Sequence, residues 1–421
     1  MDAIKPGSQN VREARGRQLA SVAKIERVGR RWKVPSQTSA SDRYLVDIED
    51  GICTCADFSL RKGTCKHQHA VYYWIAWGRD VDAGAEVVVI EAPKTKRKQY
   101  PPSDWSAYHE SRKHEKEYVE RLLYALCVAN VVEPARKPGP GRPPLLNRDQ
   151  VIAAVMKVYL TKSADRVWND LERLVTRGLL SKVPHPNSIS NFLDDPATTP
   201  LLVSLVEESG RGPCVIEKGQ YAMDSTGLST TTYVRWFDFR DGTSRAEHHW
   251  VKLHVLVGTV THAIIAVRVV PESDVTQLEE LVRCGRRFHD IREVSADKAY
   301  ASKENFMFLD DVGITPFIPF QDRHVIDKKC EPWSRALCEF WLNQPTFLEH
   351  YHRRSNVETV FSMMKQTLGP SLASKNPDAL VNETLCKCIA HNLRCMNRAI
   401  FLAGLAPKLW PDLPSSEQEA A

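Results

Sequence analysis

Three acidic side chains, Asp224, Asp297 and Glu358, are placed so that distant parts of the chain could combine them. Asp224 follows a strand-like run in QYAMDSTG. Asp297 closes another in IREVSADKAY, and Glu358 lies within YHRRSNVETVFSMMK. In open α/β sheets, chemistry gathers outside strand ends. Three carboxylates brought to one point repel each other unless cations neutralise them. Hard oxygen ligands suit Mg2+, or Mn2+ in its place. Two such ions roughly 3.5–4 Å apart activate an attacking water or hydroxyl and stabilise the leaving oxygen of a phosphodiester. A single aspartate at a strand end or turn is ordinary. The three together, on these element types, are harder to explain as chance.

The stretch around Glu358 adds three more functional groups. Tyr351, Arg354, Glu358 and Lys365 are separated by three, four and seven residues. On a helix of 3.6 residues per turn they fall on one stripe. Val357, Val360, Phe361, Met364 and Leu368 form a neighbouring apolar stripe, and Gly369-Pro370 supplies a stop. In isolation, such a stripe is a solvated face of ion pairs. Two strand-end aspartates elsewhere in the same domain give it a further use.

A second constellation is ICTCADFSLRKGTCKHQH, with Cys53, Cys55, Cys65 and His67. Three thiols and an imidazole are the ligand set of a closed, structural zinc site. Eleven cysteines over the whole chain is an odd count and argues against a disulfide framework. Chemistry alone leaves open whether His67 or His69 closes the site. A third group, Cys386, Cys388, His391 and Cys395, sits in a helical stretch. There the two nearest thiols diverge by about 200°, so these read as core cysteines, with a second metal site as the alternative.

The elements that must position these groups follow from composition and periodicity. At 421 residues, 43% hydrophobic and 26% charged, the chain has the texture of a globular protein of two or three domains. The N-terminus has no apolar run of signal-peptide type and no stretch is long enough to span a bilayer, so a cytoplasmic, nucleoid-associated protein is expected. Residues 1–92 read as a small β-rich zinc-binding module, with strands in RQLASVAKIERVG and RYLVDIEDG. Residues 93–146 read as a basic Pro/Gly-containing linker. Positions 94–148 carry twelve Lys/Arg against six Asp/Glu, more than the net +5 of the whole chain. In EPARKPGPGRPPLL, Arg142 stands at the centre of a partial AT-hook-like triplet suited to a minor groove. A plain semi-rigid linker is the competing reading.

Residues 147–212 read as a helical unit with helix-turn-helix character for DNA, or as a spacer packed on the next domain. Residues 213–405 run strand, strand, strand, helix, strand, helix, strand, helix, an α/β order with a mixed sheet. Residues 406–421 read as a tail.

Two resemblances bear on these readings. C-x-C, nine residues, then C-x-H resembles the SWIM zinc finger over roughly residues 20–80. It implies Cys53, Cys55, Cys65 and His67 as ligands of one structural Zn2+. Residues from about 213 to 400 resemble the catalytic domain of bacterial insertion-sequence DDE transposases of the Y-x2-R-x3-E-x6-K branch. Tyr351, Arg354, Glu358 and Lys365 match that signature at every interval. DSTG at 224–227 and ADKAY at 296–300 match the two aspartate motifs, with Ala299 where a glycine commonly stands.

The second resemblance implies a ribonuclease-H-like fold and a catalytic triad of Asp224, Asp297 and Glu358 holding two Mg2+. It also implies DNA contacts by Tyr351, Arg354 and Lys365, to which Lys298 beside Asp297 is added. The expected protein is a DNA transposase that cleaves and joins strands, acting on double-stranded DNA as a homodimer. A non-catalytic DNA-binding derivative and a nuclease without joining activity are the alternatives.

Overall fold

The protein is described by a computed structural model covering residues 6–37, 42–61, 63–77, 104–133, 145–230, 250–321, 324–327 and 329–405. It divides into two compact units. One comprises residues 1–102 with 322–324, the other residues 103–321 and 325–421. Arg142 and the tail 406–421 lie outside the described residues. Among those described, no helix is long and apolar enough to cross a membrane.

The first unit begins with α1 (Pro6–Val22). Four short strands follow: β1 (Glu26–Val28), β2 (Arg31–Pro35), β3 (Arg43–Asp47) and β4 (Ile52–Cys53). They pair antiparallel in chain order, and α2 (Ala56–Arg61) and α3 (Lys66–Ala76) complete the unit. RQLASV, expected as strand, is therefore helix. Its buried positions, Gly16, Leu19 and Ala20, follow the helical period rather than alternation. A Cβ on Gly16 would come within 2.4 Å of the His69 Cβ and 2.7 Å of the Lys66 carbonyl oxygen. Glycine there lets α1 lie directly on α3. Leu19, Ile25, Trp32, Val34, Val46 and Val71 fill the core between helices and sheet.

The second unit opens with α4 (Trp105–Lys113) and α5 (Glu115–Asn130), in a stretch read above as linker. Its charge count concealed an amphipathic helix. Val119, Leu122, Leu123 and Leu126 of α5 recur at three- and four-residue intervals and are fully buried. Each contributes on the order of 1.5–3 kcal/mol. Next come α6 (Asn147–Tyr159), α7 (Trp168–Thr176), α8 (Pro186–Asp194) and α9 (Thr199–Arg211), helical as expected. They form no separate unit, because their apolar residues share one core with the sheet and the C-terminal helices.

The sheet contains β5 (Gln220–Ser229), β6 (Trp250–Gly258) and β7 (Ile264–Val269). After α10 (Asp274–Arg286) come β8 (Glu293–Ala296), α11 (Lys303–Asp311) and β9 (Thr315–Phe317). Strand order is β7-β6-β5-β8-β9. The first three strands pair antiparallel, while β8 runs parallel to β5 and β9 parallel to β8. The expected mixed sheet is thus present. Its two faces are both covered. Ala222, Leu253 and Val255 meet the helical core, whereas Tyr221, Met223 and Leu256 meet α10 and α11.

The chain ends in α12 (Glu331–Leu342), α13 (Gln344–Tyr351), α14 (Ser355–Leu368) and α15 (Pro377–Ala403). Helices α12 and α13 were not anticipated. Two buried groups on α15 fix what it touches. Asn392 accepts from the Ile264 N–H and donates back to the Ile264 carbonyl, both at 2.8 Å, continuing the ladder of edge strand β7 through a side chain. Lys387, 2% exposed, donates to the carbonyls of Leu368, Gly369 and Ser371 at 2.7–2.9 Å. Those carbonyls lie at the end of α14, where Gly369 turns the chain at φ +81°. Burial lowers the Lys387 pKa, yet all three donors find oxygen.

Candidate active site and metal centre

Strand register places the first two acids. The parallel pairing of β5 and β8 ends at Met223↔Ala296. Asp224 is the next residue of β5 and Asp297 the first residue past β8, so the two stand beside each other at neighbouring strands. Asp224 accepts from the Ser225 N–H at 2.8 Å. Asp297 accepts from the Lys298 N–H at 2.8 Å as it caps a 3-10 turn, Lys298–Tyr300, on which Lys298 is exposed.

Glu358 arrives from the other side, in the first turn of α14. Helix and signature do not coincide as expected. Tyr351 ends α13, Arg354 closes a 3-10 turn at His352–Arg354, and only Glu358 and Lys365 lie on α14. Tertiary contacts at the break account for this. Glu293, at the start of β8, accepts from Arg353 at 3.0 Å and pairs with His350 at 2.8 Å, while Ser295 donates to the His350 carbonyl at 3.1 Å. The turn is thereby tied to the strand that carries Asp297. These anchors were missed in the sequence, where Glu293 gave no signal beyond a polar strand start.

Arg354 sits among the acids. One guanidinium nitrogen donates to Asp224 Oδ2 and the other to Glu358 Oε1. Burial works against its charge, but Asp224, Tyr351, Glu358 and Asp297 outweigh burial and raise its pKa. Burial also dominates at Asp224 and raises it, with negative Asp297 and Asp274 adding to the effect. The Ser225 N–H and Arg354 act in the opposite direction. Lys365 donates to Thr226 Oγ1 at 2.8 Å, two residues along β5 from Asp224. Tyr351 stacks on Phe347 with ring centroids 6.1 Å apart.

Asp224 and Glu358 thus share one guanidinium, and the charge of Asp297 also acts on it. The three acids do not form a closed ligand cage. Among the described residues, only the N-terminal cysteine and histidine group brings three or more such ligand atoms within 4.8 Å of one another. The donor set of the second unit nevertheless fits hard divalent cations: oxygen only, partly exposed, and crowded enough to hold a positive side chain already.

In the first unit, the sulphurs of Cys53, Cys55 and Cys65 and one nitrogen of His67 all lie within 4.8 Å of each other, and all four residues are buried. His67 Nδ1 is 3.9 Å from both the Cys53 and Cys65 sulphurs. A tetrahedral zinc with bonds of about 2.3 Å to sulphur spaces its ligands at about 3.8 Å, so this set fits. The Cys53 thiol and the His67 ring favour a thiolate at Cys65, against the cost of burial. His69, left open by the sequence, is not in the group. Its neighbour Gln68 closes a capping box on Cys65, accepting from the Cys65 N–H at 2.8 Å.

The third group is core. Cys386, Cys388 and Cys395 are fully buried or nearly so and divide between two hydrophobic clusters. Burial pushes the Cys388 and Cys395 thiols up to about 12 and His391 down to about 4. His391 Nε2 meets the His262 carbonyl at 2.8 Å.

Residues 217–393, which contain Asp224, Asp297 and Glu358, match the family of the transposase DDE domain. This match supports a DDE transposase function for the second unit. No curated protein matches. Among solved structures, the chain is similar to a piggyBac transposase in a cryo-EM synaptic complex with hairpin DNA. The TM-score is 0.32 at 11% identity, over 72% of this chain and 75% of that one.

Proposed function

We propose that the protein is a DNA transposase. Its second unit would be a ribonuclease-H-like catalytic domain, and its first a SWIM-type zinc module. The observation that carries the reading is the sharing of Arg354 by Asp224 and Glu358, with Asp297 just past the strand paired to that of Asp224, inside the segment that matches the transposase DDE domain.

Asp224, Asp297 and Glu358 are the residues that would hold Mg2+ or Mn2+. Bound there, the cations supply Lewis acidity, lowering the pKa of water and stabilising the leaving oxygen. The protein's own groups do the rest. Adjacent strands fix Asp224 and Asp297, so only Glu358 has to approach. Arg354, which now neutralises two carboxylates, is the group to move onto a DNA phosphate, where its fork suits two oxygens. Lys365, Lys298 and Tyr351 line the same region and would orient the strand. Water attacks phosphorus and the P–O3′ bond breaks, leaving a 3′-hydroxyl. In joining, that hydroxyl attacks a target phosphorus by the same displacement.

Cys53, Cys55, Cys65 and His67 would hold one structural Zn2+. The first unit, with the basic stretch around Arg142 and helices α6–α9, would grip the element's terminal repeats through phosphate contacts. Pairing two ends calls for a homodimer on DNA, at the nucleoid.

The test uses the full, zinc-loaded chain and duplexes carrying the DNA ends that flank its coding sequence. With Mg2+, strand ends bearing 3′-hydroxyls should form and then join a second duplex, and Glu358→Gln should abolish both while binding persists. Cutting without joining would make the protein a simple nuclease. Binding without cutting would make it a non-catalytic derivative.

A further inference from the structure

A carboxylate outside both aspartate motifs joins the segments that carry the three acids. Glu293 is the first residue of β8, which ends at Ala296. Asp297 continues the strand in extended backbone, at φ −70° and ψ 161°. Alternation therefore puts Glu293, Ser295 and Asp297 on one face. The parallel partners of Glu293 and Ser295 on β5 are Gln220 and Ala222, and the next residue of β5 on that face is Asp224. It is the face on which Ala222 packs into the helical core and Lys365 of α14 reaches Thr226.

One oxygen of Glu293 gathers groups from three other segments. Its Oε2 accepts from Gln220 Nε2, at the start of β5, at 3.3 Å. It also accepts from Arg353 in the 3-10 turn at 3.0 Å and pairs with His350 Nδ1 in α13 at 2.8 Å. His350 is seated from two further sides. Its ring stacks on Phe317, the β9 partner of Ser295, with centroids 4.4 Å apart, and its carbonyl accepts from the Ser295 hydroxyl at 3.1 Å. Arg353 and Arg354 then part company. The first reaches back to Glu293, and the second reaches Asp224 and Glu358. Four residues of strand, about 13 Å at 3.3 Å each, separate the levels of those two anchors. The turn ahead of α14 is thereby fixed against both ends of the strands that carry the aspartates.

We propose that Glu293 is a positioning residue of the divalent-cation site. It acts through Arg353 and His350, and sets where Arg354 and Glu358 stand relative to Asp224 and Asp297. The sheet ladder fixes the two aspartates, but nothing in β5 or β8 itself fixes a group on a separate helix. The Glu293 carboxylate supplies that missing dimension from the same strand that leads to Asp297. Buried Val357 and Val360 hold α14 in the core without it, so its loss misplaces the head of the helix rather than unfolding it. This rests on the reading of Asp224, Asp297 and Glu358 as cation ligands.

The test is Mn2+ binding to the zinc-loaded full chain, followed by electron paramagnetic resonance. Melting temperature and Mg2+-dependent cleavage of duplexes carrying the flanking DNA ends are measured alongside. Asp224→Asn should remove Mn2+ binding. Glu293→Ala should weaken it about fivefold with the number of ions retained, and slow cleavage about thirtyfold at unchanged DNA affinity. Glu293→Gln keeps an acceptor oxygen for Arg353 and should recover most of both. Arg353→Ala should repeat the fivefold loss, and it decides the matter alone if Glu293→Ala does not fold. The double variant should be no weaker than either single one, because both remove the same contact. Wild-type Mn2+ affinity and rate in Glu293→Ala and Arg353→Ala, whatever their melting temperatures, would overturn the proposal and leave a purely structural contact. Losses that add in the double variant would overturn it as well, since the two residues would then act separately. Unaltered binding in Asp224→Asn would instead overturn the parent reading.

Discussion

The two candidate metal sites are built in opposite ways. In the first unit, four soft donors are buried and already gathered within 4.8 Å. In the second, two hard carboxylates, Asp224 and Glu358, share an arginine, and the Glu358 side chain is 57% exposed. A closed, desolvated cluster suits an ion that stays and holds the fold together. An open cluster with a resident guanidinium suits ions that arrive with a phosphate and leave with it. Burial and donor type are what set the two candidate sites apart.

The largest effect should come from the closed site. Chelation, or Cys65→Ser, should unfold the first unit, since zinc binding is worth about 10–16 kcal/mol in small zinc peptides. The measurement is a thermal melt with metal analysis. One zinc per chain and loss of a single transition are expected, with the second unit's transition unchanged. If both transitions fell together, the contrast between the sites would fail.

Glu358→Gln comes next. Losing several kcal/mol of transition-state stabilisation corresponds to about a thousandfold slower strand cleavage. The melting temperature should hold, because Glu358 is exposed and a glutamine amide oxygen still accepts from Arg354.

Arg354→Ala tests the resident cation. Hydrogen bonds to charged groups contribute about 1.5–3 kcal/mol, so metal-free stability should drop by up to that much. Added Mg2+ should then raise the melting temperature more in the variant than in the wild type. An equal rise in both would mean that Arg354 and cations do not share the carboxylates.

The smallest effect concerns the cysteine and histidine group that forms no metal site. His391 is held near 4 by burial, below the ordinary histidine value of 6.5. As pH falls between those values, the unfolded chain binds a proton that the folded one refuses. Stability is then lost by at most roughly 1.4 kcal/mol per pH unit. Denaturant melts at stepped pH should show the slope, and His391→Leu should flatten it.

The carboxylates proposed to do the chemistry stand out in the sequence, because their types are costly to place by accident. The strand carrying Asp224, the strand before Asp297 and the mixed sheet follow from local periodicity and element order, whereas which strands run parallel does not. What escaped reading depends on contacts across the chain. The break at 352–354 is imposed by Glu293, some sixty residues earlier. Helices α4 and α5 are masked in the sequence because their charged faces dominate the composition, while Val119, Leu122 and Leu126 face the core. Helix α1 looked like strand because alternation in a short run cannot reveal the close approach that Gly16 allows.

Lys387 gives the helix bearing Glu358 an unequal pair of ends. Its tail is pinned by a buried ammonium on three carbonyls, whereas its head hangs from a short turn held by side chains. Buried Val357 and Val360 set the first turns into the core, so the glutamate is presented from a helix fixed at both ends and can adjust to a cation chiefly through its own side-chain torsions.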